Sequence, residues 1–264
     1  MRIASWNINS VRLRAPIVAQ LAEAEQPDVI CLQETKCPDE HFPHEAIEEM
    51  GYAHRAIWGM KGYNGVCILS KQPLTDVTRY TRAGKDDCRH LSARLPDGTV
   101  VHNLYIPAGG DKPDPVANEK FAHKLAYLEE LTDVLATNGP GDDKAIMVGD
   151  FNIAPLEHDV WSHKQLLKVV SHTPIEVEKL DALQASCDWL DTTRHFTPES
   201  EKLYSWWSYR ARDWSKSDKG RRLDHIWITP ALAPKLKAGW VIRDGRGWGE
   251  KPSDHAPVLA DIAD

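Results

Sequence analysis

Asp150 and Asn152 stand two residues apart at the end of Ala145–Asn152, AIMVGDFN, where a mostly apolar run meets the turn-prone Gly149. Such a run reads as a strand buried on both faces. In open α/β sheets the ligand crevice lies outside the carboxyl ends of the strands, and two-residue spacing turns both polar side chains to one side. Other apolar runs also have polar residues at their ends: Asn7 after Arg2–Trp6, Glu34 after Asp28–Leu32 (DVICL), and Tyr105 closing Thr99–Tyr105. Asp224 lies near the start of Arg222–Thr229 (RLDHIWIT), and Asp254 and His255 precede Pro257–Ile262. Four carboxylates with two amides, an imidazole and a phenol form an oxygen-rich set, the ligand type that suits Mg2+, or Mn2+, over zinc. The chemistry such a set can perform is metal-assisted hydrolysis of a phosphate ester, with a carboxylate taking the proton of water. Each residue also has a plainer reading. Asp150 and Asn152 could satisfy backbone groups of a turn, Glu34 could open a helix, His255 and Tyr105 could be packed rings, and Asp224 could serve donors in its own strand.

The elements that must position these residues mix strands and helices. A helix is expected from about Arg14 to Glu25, with Ile17, Val18, Leu21 and Ala22 on one face, and another near His44–Met50. Strands at about Tyr52–Ile57 and Gly65–Leu69 flank a Gly-containing turn. Pro73–Tyr80, Arg89–Leu95 and Thr99–Tyr105 read as an antiparallel meander whose last turn is Pro96-Asp97-Gly98. Asn118–Leu135 carries the clearest 3.6-residue pattern, through Phe121, Leu125, Leu128, Leu131 and Leu135. Ile153–Thr197 reads as helical in pieces, including Pro174–Ser186, and Trp240–Ile242 and Pro257–Ile262 as the final strands. Two packed mixed sheets with helices outside are the expected arrangement.

With 264 residues and no linker, repeat or low-complexity tract, the sequence reads as one domain, 1–264. Five cysteines without a C-x-x-C pair argue against a disulfide framework and a zinc site, and fit a reducing, cytoplasmic setting. The N-terminus is too polar for a signal peptide, and no run approaches a membrane span. A net charge of −7 would repel a polyanion, so any nucleic-acid binding must be local. A local patch exists. Between Lys202 and Arg222 seven basic residues and two acidic ones are interleaved with Trp206, Trp207, Tyr209 and Trp214, a composition able to neutralise phosphates and stack on bases or a sugar. The alternative is a solvated loop whose tryptophans, Trp207 among them, plug the core.

The motifs WNINS (6–10), LQETK (32–36), YIP (105–107), GDFN (149–152), YSWWSYR (204–210), RLDHIWI (222–228) and SDHAPV (253–258) run the length of the chain. In these the sequence resembles the exonuclease III class of apurinic/apyrimidinic endonucleases, within the endonuclease/exonuclease/phosphatase superfamily. The resemblance implies an α/β fold, a four-layer sandwich of two packed mixed β-sheets flanked by helices. It implies Glu34 as the principal metal ligand with Asn7 beside it, and Asp150 as the residue that activates or orients water. Asn152 would contact the phosphate, Tyr105 would contact the phosphate or aid the leaving group, His255 would bind the scissile phosphate, and Asp224 would orient the imidazole. Asp150, Asn152, Asp254 and His255 complete the residues expected at or around the metal. Trp206 would close a pocket for a base-less deoxyribose, and Arg210 would enter a DNA groove. Arg221 stands at the pocket wall where relatives commonly carry an aromatic or aliphatic residue, and Ala108 where they often carry an amide.

The implied function is a magnesium-dependent repair nuclease, a monomer acting on duplex DNA. It would cut 5′ to abasic sites and carry 3′-5′ exonuclease and 3′-phosphatase activity. The alternatives are a superfamily phosphatase or phosphodiesterase on a non-DNA substrate, and a catalytically weak DNA-end binding protein.

Overall fold

The computed structural model describes residues 1–141 and 143–263. Its strands are β1 (Arg2–Asn7), β2 (Val29–Gln33), β3 (His54–Trp58), β4 (Val66–Ser70), β5 (Thr75–Arg79), β6 (His90–Arg94) and β7 (Val100–Tyr105). Then follow β8 (Ala145–Asp150), β9 (Leu190–Asp191), β10 (Trp206–Trp207), β11 (Gly220–Arg221), β12 (Asp224–Ile228), β13 (Leu236–Val241) and β14 (Val258–Ile262). Two six-stranded sheets result, ordered β13-β14-β1-β2-β4-β3 and β5-β6-β7-β8-β12-β9, and β10 pairs with β11 as a small ribbon. Each large sheet is mixed: β1 runs parallel to β2 and β7 parallel to β8, while their other neighbours are antiparallel.

Side-chain alternation explains why the strands read as continuous apolar runs. Ile3, Val29, Cys31, Val66 and Ile68 of the first sheet meet Leu91, Val101, Ile146, Val148 and Ile226 of the second. The intervening Ala4, Trp6, Ile30, Leu32 and Leu69 face outward and are covered by Ile17, Val18 and Leu21 of α1 (Val11–Glu25) and Ile47 of α2 (His44–Glu49). On the far side, Leu104, Met147 and Trp227 are covered by Tyr127, Leu128 and Leu131 of α3 (Glu119–Asn138). Leu180 and Leu183 of a helix at Pro174–Ala185 join that cover. The layers are therefore helix, sheet, sheet, helix, as expected. No helix among the described residues is long and apolar enough to cross a membrane.

Some boundaries differ from expectation for identifiable reasons. The first helix starts at Val11, not Arg14, because the Val11 amide is held by Thr35 O at 3.1 Å and its side chain is buried; Arg14, at φ −119°, marks a kink ahead of Pro16. The strand expected at Trp240–Ile242 is Leu236–Val241, since Gly239 joins it without a side chain: a Cβ there would lie 2.3 Å from Thr192 O. The two-residue strands β9, β10 and β11 are too short to leave a periodic signal.

Candidate active site

Strand register gathers the polar residues before any side chain is considered. Tyr105 is the parallel partner of Asp150, and Asp224 is its antiparallel partner on the other side. Adjacent strands lie about 5 Å apart, so these three form a row across one end of the sheet. Gly149 makes the row possible: at φ 146°, a Cβ there would sit 1.9 Å from Leu104 O on the neighbouring strand. In the facing sheet Asn7 ends β1 beside Gln33, and Glu34 follows.

The ends of the two sheets are tied by hydrogen bonds. Asn7 Nδ2 donates to Glu34 Oε1 and to Asp150 Oδ2, both at 2.9 Å, and the Tyr105 hydroxyl donates to Glu34 Oε1 at 2.9 Å. The Asn152 amide donates to Asp150 Oδ1 at 2.9 Å, and Asn152 Nδ2 to Ile106 O at 2.9 Å. His255 Nδ1 lies 2.8 Å from Asp224 Oδ2, which also accepts from Ser205 Oγ at 2.6 Å, and His255 Nε2 lies 3.7 Å from Asp150 Oδ2. Asn9, Ser10, Glu34, Lys36 and Asn152 all have left-handed backbones, with φ from 48° to 93°. Other turns of the chain also carry left-handed non-glycine residues; at these five positions the surroundings of the cluster hold the conformation.

Burial sets the charges. Burial is the largest influence on Asp150 and raises it to about 7 despite the attraction of His255, with Asp224 adding to the rise. Burial opposes the His255 imidazolium, yet Asp224 and then Asp150 overcome it and lift this group to about 10. Between those limits the pair is carboxylate and imidazolium. Burial also works to raise Glu34, but the Lys36 ammonium, 2.7 Å from Glu34 Oε2, brings it below the ordinary carboxyl value. The Tyr105 phenol is held well above its usual range by burial and by the neighbouring Glu34 and Asp150, so it keeps its proton.

The sequence-predicted residues are thus mostly brought together: Asn7, Glu34, Tyr105, Asp150, Asn152, Asp224 and His255 share one network. Asp254 borders it instead, accepting from Asn9 Nδ2 at 3.2 Å and from Trp206 Nε1 at 3.0 Å. Among the described residues, ligand atoms of Asp150, Asp224 and His255 lie within 4.8 Å of one another, a group that could hold a metal ion. One oxygen each of Glu34 and Asp150 accepts from the same Asn7 amide nitrogen, and a pair of carboxylate oxygen donors of this kind suits a hard cation.

A cleft of about 650 Å³ beside this network is lined by Trp161, Trp206, Arg210, Lys219 and Arg221. Trp206 is half-buried and Arg210 exposed, whereas Trp207 is buried and packs with Tyr204 and Ala256. Arg221 is not a free cation at the wall: Nη1 donates to Val170 O at 2.9 Å and Ser171 Oγ at 2.7 Å, and the guanidinium lies 5.4 Å from the Trp206 ring centre. Arg222 is no part of the basic surface. It is buried between Asp159 and Asp191.

Sequence reasoning gave no role to Asn9, Lys36, Ser205 or Arg89. The first three lie within the motifs WNINS, LQETK and YSWWSYR, so their signal was present. Arg89 had none; its guanidinium covers the Tyr105 ring at 4.7 Å and is clamped by Asp87 Oδ2 at 2.6 Å.

Residues 4–255 match the model of the Endonuclease/Exonuclease/phosphatase family. The chain is 31% identical over 273 residues to exodeoxyribonuclease III of Haemophilus influenzae, covering 99% of this chain and 100% of that protein. It superposes on an AP endonuclease from Archaeoglobus fulgidus with a TM-score of 0.91 at 31% identity, covering 99% of each chain. It also superposes on the 3′ phosphatase NExo from Neisseria, solved bound to product DNA hairpin, with a TM-score of 0.89 at 30% identity over 99% of each chain. By fold, by site and by these similarities, the chain belongs to the Endonuclease/Exonuclease/phosphatase family.

Proposed function

We propose that this chain, acting as a single domain and a monomer in the cytoplasm, is a metal-dependent DNA repair nuclease. It hydrolyses the phosphodiester bond 5′ to an abasic site and uses the same phosphate chemistry to remove 3′-terminal nucleotides and 3′-phosphates from duplex DNA. The observation that carries the reading is the convergence of Asn7, Glu34, Tyr105, Asp150 and the Asp224–His255 pair at one end of the two sheets. The relatives support DNA as the substrate, since they include an exodeoxyribonuclease, an AP endonuclease and a 3′ phosphatase solved with product DNA.

Glu34 and Asp150 would hold Mg2+, or Mn2+, with Asn7 and Asn152 at its margin. When bound, such an ion neutralises charge on the phosphate and on the departing oxygen. Of the other residues expected around the metal, Asp254 is turned to Asn9 and Trp206 and serves the pocket wall, and the charged His255 serves the phosphate. The Asp150 carboxylate orients water and takes its proton. The His255 imidazolium, held by Asp224, pairs with phosphate oxygens, and Asn152 adds an amide contact. As water adds to phosphorus and the bond to the 3′-oxygen breaks, the Tyr105 hydroxyl donates toward that oxygen. Trp206 stacks on a sugar without its base, Arg221 backs Trp206, and Arg210 reaches into a DNA groove.

The test is cleavage of a duplex carrying one abasic analogue, compared with intact duplex, a 3′-phosphate end and inositol phosphate, with magnesium and with chelator. Magnesium-dependent nicking 5′ to the analogue is expected. Turnover of inositol phosphate alone would transfer the chain to the phosphatase reading, and tight DNA binding without turnover to the end-binding one.

A further inference from the structure

Lys124, on α3, is a fully buried lysine in a position that no catalytic motif marks. Its Nζ donates to Asn152 O at 2.8 Å, to Glu176 Oε1 at 2.5 Å and to Ala108 O at 3.4 Å. An ammonium has three N–H groups, so each has an acceptor. The three acceptors belong to three different chain segments around the site: the loop after Tyr105, the turn that follows Asp150, and the start of the helix at Pro174–Ala185.

Glu176 extends the reach of this contact. It is fully buried, and its carboxylate accepts from the Ser171 amide at 2.9 Å, the Thr173 amide at 3.2 Å and Thr173 Oγ1 at 2.7 Å. The same Ser171 hydroxyl receives Arg221 Nη1, and Ser171 O receives the Ala154 amide at 2.8 Å. Gly109 lies directly on the lysine stem: a Cβ there would come 3.0 Å from Lys124 Cδ. Asn152 has a left-handed backbone at φ 56°, and its amide holds Asp150 Oδ1. A conformation that costs about 1 kcal/mol or more persists only where its surroundings hold it. Lys124 supplies the hold on the carbonyl of that residue.

We propose that the buried Lys124–Glu176 ion pair is a positioning device for the active site. Through Asn152 it fixes the direction of the Asp150 carboxylate, and through Ser171 it sets the turn on which Arg221 and the Trp206 wall rest. The inference rests on the nuclease reading given above. A buried pair adds little net stability over apolar residues of similar volume, whereas losing one partner leaves an uncompensated charge. That asymmetry separates positioning from simple support of the fold.

The test uses the full chain and compares wild type, Lys124→Met and Lys124→Met/Glu176→Gln by thermal melting, by affinity for an abasic duplex in chelator, and by kcat and KM in magnesium. Wild-type turnover is measured first; without it the nuclease reading fails, and the variants are not needed to say so. The single variant is expected to lose stability and the double variant to regain most of it. Duplex affinity should stay within about threefold in the double variant, while kcat remains at least tenfold down, because no donor reaches Asn152 O. A stable double variant with wild-type kcat overturns the proposal. If the double variant does not fold, Lys124→Arg decides. A guanidinium keeps the charge but its planar fork cannot serve three acceptors from one nitrogen, so kcat falls with KM unchanged; full kcat in a folded arginine variant overturns the proposal equally.

Discussion

His255 presents Nδ1 to both oxygens of Asp224, at 2.8 and 3.1 Å. The contact fixes the ring and, against the effect of burial, keeps it protonated up to about 10. With Asp150 raised to about 7, chiefly by burial, the proposed active form is carboxylate plus imidazolium. The sign follows: kcat/KM should rise as Asp150 loses its proton near 7 and fall as His255 loses its proton near 10. In Asp224→Asn the imidazolium loses its main support, so the alkaline limb moves down by a unit or more and kcat falls by about 10²–10⁴. A pH–rate profile whose alkaline limb stays in place would remove His255 from the phosphate.

Asp150→Asn keeps the shape of the side chain and removes its basicity. Turnover should drop by about 10³ or more, while duplex binding measured in chelator is retained, since a negative charge near phosphate has been removed. Loss of binding together with turnover would make Asp150 structural. Protons and a cation compete for the same carboxylate, so raising magnesium should carry the acid limb of the wild-type profile to lower pH. Cleavage that survives chelation excludes the metal from the mechanism.

In the proposed reading Trp206 and Arg221 bear on choice of substrate rather than on hydrolysis. Apolar burial is worth about 25 cal/mol per Å², so a deoxyribose face packed on Trp206 is worth about 1–2 kcal/mol, and Trp206→Ala should reduce abasic incision about tenfold while 3′-phosphate removal, which leaves the cleft beyond the phosphate empty, changes little. Arg221→Ala should act in the same direction and more weakly, by removing the guanidinium that backs the Trp206 ring at 5.4 Å. Equal losses in both activities would mean that the cleft does not read the sugar.

The site was legible where chemistry sits on strand ends. The AIMVGDFN run announces a buried strand, and Asp150 falls where the sheet register then sets it between Tyr105 and Asp224. What the chain could not announce is what holds those residues from outside the motifs. Lys124 lies on the apolar stripe of α3 between Phe121 and Leu128, where the pattern assigns no place to a charge, and it is fully buried because Glu176, 52 residues away, brings a carboxylate to it. Arg222 misleads by its neighbours. It extends a basic run toward the DNA patch in sequence and turns inward in space, because Asp159 and Asp191 lie under the start of β12. Charge runs show composition; only tertiary pairing decides which members face water.

Arg222 carries the clearest stability prediction. Its Nε and Nη2 grip Asp159 at 2.8 and 2.9 Å, its Nη1 reaches Asp191 Oδ2 at 2.5 Å, and Arg194 adds a second cation on Asp159. Burial alone would raise both carboxyls, but Arg222 outweighs it and holds each below the ordinary value. A carboxyl depressed by folding contributes stability that is complete above its unfolded pKa of about 4 and is lost as pH falls through the folded value. Arg222→Met should therefore destabilise by about 3–5 kcal/mol at pH 7, measured by denaturant unfolding. The gap from wild type should narrow as pH falls below about 4, because the unfolded chain then takes up protons that the native wild-type carboxylates, held low by Arg222, refuse, whereas the variant's buried carboxyls accept them in the folded state too. A deficit of equal size at pH 7 and pH 3 would place the loss in packing, and one under about 1 kcal/mol at pH 7 would mean that the neighbouring Arg194 and His225 suffice to hold the two aspartates.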